Sequence, residues 1–357
     1  MIFNIQFLRA LAALSVAYFH TDFGGIRFGS FGVDVFFVIS GFIMAQICQT
    51  DSSHFFLRRL VRIVPLYWAL TLVIFGLAKF APFLVYRATA DWADLARSLF
   101  FVPYQNKSGL VQPELFLGWT LNYEMFFYVN VALALLIVPP RFAAGLAAAF
   151  IIGIWATLKL TQCTSVPCEF YENPIVVEFI FGISAYQVFT RASRELAART
   201  LVFWWALFAV SLAAIVALNA RDWGSANGAL LMSLPSELHL EQWPYSGVIA
   251  FGVVLSALMS ERGGARLTWG GALLLGNASY VIYLIHPYIA LGMGRVVSRW
   301  LPELTTRTLG GLLVYFVIVI TLSITIHILI ERRIIELGRS YLSRGRVQLP
   351  GKGVAPA

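Results

Sequence analysis

The chain has 357 residues, of which 59% are apolar and only 12% are charged, and its formal net charge is +8. A soluble domain carries about 45–50% apolar and about 25% charged residues, so this composition excludes a disordered chain and argues against a soluble enzyme. Lys and Arg collect in the cytoplasmic loops of membrane proteins, which explains the positive charge without a nucleic-acid partner.

Ten apolar segments follow one another along the chain and are candidate membrane spans. A run of about 18 or more apolar residues can cross the roughly 30 Å hydrocarbon core of a bilayer. The segments are 4–23, 30–49, 61–80, 116–138, 142–160, 174–190, 200–219, 244–260, 271–292 and 308–330. We therefore predict an all-α, polytopic membrane protein with about ten transmembrane helices and no soluble domain. Segment 92–102 is too short to span and is predicted to lie in the interface or to re-enter the membrane.

The basic residues set the predicted orientation of these spans. If the N-terminus is inside, the loops and tail on that side hold more Lys and Arg than the outer loops do. The positive-inside rule then favours cytoplasmic termini at both ends. We predict a transmembrane domain over residues 1–340 and a disordered cytoplasmic tail over residues 341–357.

The first span contains two ionisable residues, Arg9 and His20. Charges inside a span are costly, so each is a functional candidate. Eleven residues are about three helical turns, which puts both side chains on one face, about 16 Å apart. The alternative is that Arg9 reaches the inner headgroups and His20 the outer boundary, with no function.

Arginines also open the third span, at Arg58, Arg59 and Arg62. Guanidinium groups bind phosphates in a bidentate manner, so this cluster is a candidate phosphate site. The alternative is a plain positive anchor at the inner membrane surface.

Four further candidates are predicted in the outer half of the membrane: Asp34 in the second span, Glu124 in the fourth, and Tyr283 and His286 in the ninth. Acid and base groups above, with arginines below, suit a long ligand with a phosphorylated head, such as coenzyme A. Glu178 and His327 lie in no polar stripe and are interpreted as structural. No two His or acidic residues stand at metal-ligand spacing on one helix, so we expect no metal.

Five segments, taken in order, carry a family resemblance: 5–20 with its Arg-x10-His spacing, 31–42, 59–68 with Arg-x-x-Arg, 119–128 and 279–287. Together they resemble the acyltransferase-3 family of membrane enzymes, which O-acylate exopolysaccharides, O-antigens and Nod factors. The resemblance covers residues 5 to about 340 and is greatest to the exopolysaccharide branch.

The resemblance implies an O-acyltransferase of the bacterial inner membrane. The donor would be cytoplasmic acyl-CoA, most often acetyl-CoA, and the acceptor a hydroxyl of a glycan or a lipid-linked sugar. His20 would act as general base, and Glu124 or Asp34 would orient its imidazole. Tyr283 or His286 would donate to the oxyanion. The phosphates would bind to Arg9, Arg58, Arg59 and Arg62.

Two other functions remain open from the residues alone. A transporter of glycans or amphipathic molecules would use the same buried charges as a substrate pathway, without acyl transfer. A structural component of an export complex would tolerate changes at these residues.

Two finer predictions concern side-chain bonds. Cys163 and Cys168 lie in a predicted outer loop, where an oxidising compartment permits a disulfide; two free thiols are the alternative, and Cys48 should stay reduced. His286 precedes Pro287, which frees the carbonyl of Tyr283 to accept from the imidazole. We therefore expect His20, and not His286, to be the base.

Overall fold

The structure is a computed structural model that describes residues 2–21, 23, 28–85, 88–107, 109–222 and 245–344. Within these ranges the regular structure is helical, apart from one isolated bridge between Gln105 and Val111. The predicted all-α fold is confirmed for this part of the chain. Most of the loop between the predicted spans 200–219 and 244–260 lies outside it.

The helices follow the apolar segments of the sequence. In chain order they are α1 (Phe3–Phe19), α2 (Phe31–Thr50), α3 (Phe55–Phe80), α4 (Trp92–Leu99), α5 (Gly118–Ile137), α6 (Pro140–Thr161), α7 (Val166–Tyr171), α8 (Glu178–Arg191), α9 (Arg194–Arg199), α10 (Leu201–Asp222), α11 (Tyr245–Arg262), α12 (Gly270–Gly292), α13 (Leu309–Ile326) and α14 (Arg332–Arg344). A π-helical turn, Met293–Val297, and a short turn, Ser298–Trp300, extend α12, and the π-helical turn His327–Glu331 joins α13 to α14.

Each of the ten predicted spans coincides with a helix, but the helices differ in length and hydropathy. Among the described residues, six are long and apolar enough to cross a membrane: α2, α3, α5, α6, α12 with its extension, and α13 with α14. The chain therefore has the helices of a multi-pass membrane protein, while the number ten stays a prediction. The last helix ends at Arg344, inside the segment predicted as a tail, and residues 345–357 lie outside the described ranges.

Helices α1 and α12 pack side by side and run in the same direction. A Cβ atom added to Gly276 would lie 2.2 Å from the carbonyl oxygen of Gln6, so only glycine permits this approach. Near the other end of the pair, the imidazoles of His20 and His286 meet. A parallel pair agrees with the predicted order, in which these are the first and ninth spans. The close approach brings polar side chains of α1 and α12 into contact.

The start of α1 is fixed by side chains around the end of α11. The carboxylate of Glu261 accepts from the backbone N–H groups of Phe3 at 3.1 Å and Asn4 at 2.8 Å. Asn4 in turn donates to the carbonyls of Ala257 and Ala265, both at 2.9 Å. Free N–H groups and a partial positive charge stand at a helix start, so a carboxylate there is stabilising. This anchor sets the position of Arg9, less than two turns further along.

The segment before α5 forms a compact polar network. The hydroxyl of Thr89 lies 2.9 Å from carboxylate oxygens of both Asp94 and Glu114, and the backbone N–H of Glu114 donates to Ser98 at 2.9 Å. The predicted interfacial segment contributes α4 to this network. The network holds the chain that leads to Phe116, which contacts the histidine pair described below.

The predicted disulfide is present between Cys163, in the turn after α6, and Cys168, in α7. Cys48, as predicted, is free, and it is buried.

Candidate functional site

A cavity open to solvent lies between α1, α2, α3, α5 and α12, with about 810 Å³ of empty space when the adjoining open solvent is included. Val33 and Met44, eleven residues apart on α2, both line it, so it extends along about 16 Å of that helix. Its polar lining includes Arg9, Arg59, Arg62, Glu124, Tyr128 and Tyr283. Three predicted phosphate ligands therefore share one cavity, and we call it the arginine cavity.

Arg9 points into the protein rather than to a membrane surface. It is only 8% exposed, and its Nη2 donates to the hydroxyl of Ser279 at 2.9 Å. Its Nη1 donates to the side-chain oxygen of Gln6 at 3.2 Å. The alternative in which Arg9 reaches the inner headgroups is therefore wrong for this structure.

Arg59 and Arg62 reach the same cavity from α3, one turn apart. The Nε atom of Arg59 is buried and has no hydrogen-bond partner among the described residues. Leaving a buried charged donor unpaired is costly, so this guanidinium is prepared for an anionic ligand.

Arg58 is different, because its guanidinium is already occupied. It donates to Asp51 at 2.7 Å and to the hydroxyl of Ser53 at 2.7 Å, and it does not line the cavity. Hydrogen bonds from Ser53 and Arg58 hold the pKa of Asp51 well below its usual range. The predicted phosphate role of Arg58 therefore lacks support, and the anchor interpretation fits it better.

Glu124 belongs to the arginine cavity and does not touch His20. Its carboxylate accepts from the hydroxyl of Ser40 at 3.3 Å and from that of Tyr128. Glu124 also interacts electrostatically with Arg9 and Arg59. The expectation that Glu124 orients the imidazole of His20 is therefore not met, and the carboxylate is instead a counter-charge to the arginines.

Asp34 is also apart from His20. Its side chain is 2% exposed and interacts with Glu178, which is fully buried at the start of α8. Close packing permits this contact, since a Cβ atom added to Gly182 would lie 2.0 Å from the carbonyl oxygen of Val38 on α2. Glu178, interpreted from the sequence as structural, thus lies beside Asp34 between α2 and α8, and neither of its carboxylate oxygens has a hydrogen-bond partner among the described residues.

His20 and His286 form a hydrogen-bonded pair. Nδ1 of His20 lies 3.1 Å from Nε2 of His286 and 3.0 Å from the carbonyl oxygen of Val16. Nδ1 of His286 lies 3.0 Å from the carbonyl oxygen of Ile282. Side chains on a helix lean toward the preceding turn, which brings the imidazole of His286 to the carbonyl of Ile282. The carbonyl of Tyr283, which was the predicted acceptor, is a second neighbour of the ring.

The hydrogen-bond partners assign the tautomers of the pair. A carbonyl can only accept, so Nδ1 of His286 carries its proton and Nε2 is left as an acceptor. Nδ1 of neutral His20 then donates, and its Nε2 keeps a lone pair with no hydrogen bond to the described residues. His286 is fully buried and His20 half-buried, so of the two only His20 can reach a substrate.

Tyr283 lies between the arginine cavity and the histidine pair. It lines the cavity, its hydroxyl is 2.9 Å from that of Thr120, and its ring centroid is 6.2 Å from that of His286. His20 itself does not line the cavity; its ring contacts Phe116, with centroids 5.7 Å apart. The Tyr283 side chain therefore separates the arginine cavity from the histidine pair.

Two neighbours of the site were not found by sequence reasoning. Phe116 carried no signal, because it lies in a loop that only the fold brings to His20. The second is Glu331. Its Oε2 lies 2.6 Å from Nδ1 of His327, and its carboxylate interacts electrostatically with Arg9. The spacing of four residues between His327 and Glu331 was a signal for this pair. No group of three or more His, Cys, Asp or Glu side chains in the described ranges is placed to hold a metal ion.

A family model described as an acyltransferase domain matches residues 2–331, nearly the whole chain. The chain belongs to the acyltransferase-3 family. The family assignment confirms the resemblance and identifies this protein as an O-acyltransferase, in preference to the transporter and structural alternatives.

Two relatives of this acyltransferase are named for exopolysaccharide production and for O-acetyl transfer. The exopolysaccharide production protein ExoZ of Rhizobium meliloti (strain 1021) is 29% identical over 328 residues, which cover 87% of this chain and 91% of the relative. The O-acetyltransferase OatA of Staphylococcus aureus (strain NCTC 8325 / PS 47) is 27% identical over 317 residues, covering 78% of this chain and 49% of that protein. The chain thus spans about half the length of OatA. No solved structure shows significant similarity.

Proposed function

We propose that this acyltransferase transfers an acyl group, in the first instance acetyl, from acyl-CoA to a hydroxyl of an exopolysaccharide or related surface glycan. The observation that carries the proposal is a cavity with three arginines, one of them unpaired at Nε, beside a histidine with a free ring nitrogen. The name of ExoZ supplies the exopolysaccharide class, and the name of OatA supplies the acetyl group.

The arginine cavity binds the phosphates of the acyl donor. Arg9, Arg59 and Arg62 offer guanidinium groups, and the cavity continues from them toward Thr120 and Tyr283. A long, thin pantetheine arm fits such a shape, with the thioester at the end nearer the histidines. Phosphates replace the hydrogen bonds that the arginines lack in the free protein.

His20 activates the acceptor. Its Nε2 removes the proton of the sugar hydroxyl while the oxygen attacks the thioester carbonyl. The new C–O bond forms, the C–S bond breaks, and His20 returns the proton to the departing thiolate. His286 positions the imidazole by accepting from Nδ1, the role that an acid has in a triad.

Tyr283 is the better of the two oxyanion candidates. The Tyr283 hydroxyl carries a proton that it can donate, and it lies 2.9 Å from the hydroxyl of Thr120 and 3.5 Å from the carbonyl oxygen of Leu117. A rotation of the Tyr283 side chain would direct its hydroxyl proton to the developing oxyanion and connect the arginine cavity with His20. His286 has no free N–H, because Nδ1 is engaged by Ile282.

The enzyme works across the bacterial inner membrane with both termini in the cytoplasm. Arg9 precedes His20 on α1 by about 16 Å, so the acyl donor enters from the cytoplasmic side and the acceptor meets His20 near the outer side. The charge distribution of the loops supports this orientation.

The direct test uses the purified protein in nanodiscs with labelled acetyl-CoA and a pool of surface glycans. We expect label in the glycan with wild type and with Arg58→Ala, whose guanidinium lies outside the cavity, and almost none with His20→Gln. If wild-type protein binds coenzyme A but labels no glycan, the proposed glycan acceptor is contradicted. If it does not bind coenzyme A, the proposed acyl-CoA donor is contradicted.

A further inference from the structure

The C-terminal helix α14 lies against the arginine-bearing end of α3. A Cβ atom added to Gly338 would lie 2.3 Å from Cγ1 of Val61, so the two helices touch at this point. Val61 stands between Arg59 and Arg62 in the sequence. The contact therefore brings α14 alongside the residues that supply two of the three cavity arginines.

Arg339 follows the contact residue and interacts electrostatically with Arg59. It is exposed, and among the described residues it has no acidic partner, whereas Arg332 on the same helix pairs with Glu336 at 2.7 Å. Two neighbouring guanidinium groups repel each other, and Glu124, the counter-charge of Arg59, lies on the cavity side and forms no salt bridge with Arg339 among the described residues. An anion bound between them would remove that repulsion and satisfy the free N–H groups.

The same C-terminal segment approaches the cavity at a second point. The π-helical turn before α14 contains Glu331, which is 3% exposed, pairs with His327 and interacts electrostatically with Arg9. π-Helical turns are frequent at functional sites. The two contacts indicate that α14 belongs to the acyl-donor site and is more than an extension of the last span.

We propose that Arg339 and Arg59 form an outer phosphate subsite at the mouth of the arginine cavity, and that it takes the 3′-phosphate of the donor's adenosine. The inference rests on the proposed use of acyl-CoA. In that molecule the arm is joined to the diphosphate, and the 3′-phosphate lies beyond it on the ribose. Burial decreases in the same order, since Arg9 is buried, Arg62 is half-buried, and Arg339, which does not line the cavity itself, is exposed.

The test compares the affinity of the purified full-length protein for coenzyme A and for 3′-dephospho-coenzyme A, which differ only in that phosphate. Wild type should bind coenzyme A about tenfold more tightly, and Arg339→Ala should lose this preference while its affinity for the dephospho form is unchanged. Arg339→Lys should recover part of it, because lysine keeps the charge but not the fork. Arg333→Ala is the matched control, since Arg333 is exposed on the same helix.

Each other outcome is distinguishable. An unchanged preference in Arg339→Ala, or an equal loss for both ligands, would overturn the subsite and leave the proposed function intact. Wild-type protein that binds neither ligand would overturn the proposed donor as well. Melting temperatures of the variants, expected within a few degrees of wild type because the side chain is exposed, show that a loss does not come from misfolding.

Discussion

The arginine cavity and the histidine pair lie along the same seam between α1 and α12, yet they are built in opposite ways. In the cavity, Arg9 has partners, but the buried Nε of Arg59 has none in the part of the chain that the structure describes. In the histidine pair, every ring nitrogen except Nε2 of His20 has a partner among these same residues. A binding site left partly unsatisfied gains its missing bonds from the ligand, whereas a catalytic group works best when its neighbours already hold it.

The largest effect is expected from a substitution in the histidine pair. His20→Gln should lower turnover by roughly 10² to 10⁴, because it removes the general base while Gln still fits the space. The ascending limb of the pH–rate profile, which reports the imidazole, should vanish with it. Stopped-time assays of glycan labelling from pH 5 to 9 measure both; wild-type turnover in this variant would remove His20 from the mechanism.

The next effect concerns the binding end. Arg59→Ala and Arg62→Ala should each raise the KM for acyl-CoA by about tenfold to a hundredfold, since a charge-assisted hydrogen bond contributes about 1.5–3 kcal/mol. Arg62→Lys should recover only part of the affinity for acyl-CoA, because lysine lacks the planar guanidinium group that binds a phosphate in a bidentate manner. Steady-state kinetics with Arg58→Ala as control checks this, and equal KM values for all four proteins would return these arginines to a role as anchors.

A smaller effect should show whether His286 acts through His20. His286→Gln should reduce kcat about tenfold, leave the KM for acyl-CoA unchanged and displace the ascending limb of the pH–rate profile, because Nδ1–H of His20 loses one of its two acceptors and keeps only the carbonyl of Val16. A merely structural histidine would lower the amount of folded protein without moving that limb. An inactive His286→Gln beside an active His20→Gln would mean that the two roles are reversed.

The smallest effect sharpens the boundary between the two regions. Ser279→Ala removes the hydroxyl that holds Arg9 and should raise the KM for acyl-CoA about fivefold, in line with about 1 kcal/mol for one hydrogen bond. The kcat should not change, although Ser279 lies on the same helix as His286. A fall in kcat with constant KM would show that the hydroxyl serves the chemistry instead of the binding of the acyl donor.

The sequence allowed some of this to be predicted, because apolar runs report depth in the membrane. From the predicted depth of each residue we located the helices, placed His20 and Arg9 at opposite ends of the first span, and assigned Arg59 and Arg62 to the phosphates of the acyl donor. Depth says nothing of rotation about the membrane normal, so Glu124 and Asp34 were assigned to His20 when their partners are Tyr128 and Glu178.

Rotation also separates Arg58 from Arg59. Adjacent residues on a helix point about 100° apart, which sends one guanidinium to Asp51 and the other into the cavity. Arg339 and Glu331 could not be found in this way, since only the packing of α14 against α3 and the position of the preceding π-helical turn bring them near Arg59 and Arg9.

The most direct test of the account is a double-mutant cycle across the two regions. The dissociation constant for coenzyme A and the single-turnover rate would be measured for wild type, His20→Gln, Arg62→Ala and the double variant. We predict that Arg62→Ala weakens binding by the same factor in either background, and that His20→Gln slows turnover without changing binding, because distant sites contribute additively. Weaker coenzyme A binding in His20→Gln, or a loss of binding in the double variant that departs from the sum, would contradict the separation of acyl-donor binding from catalysis.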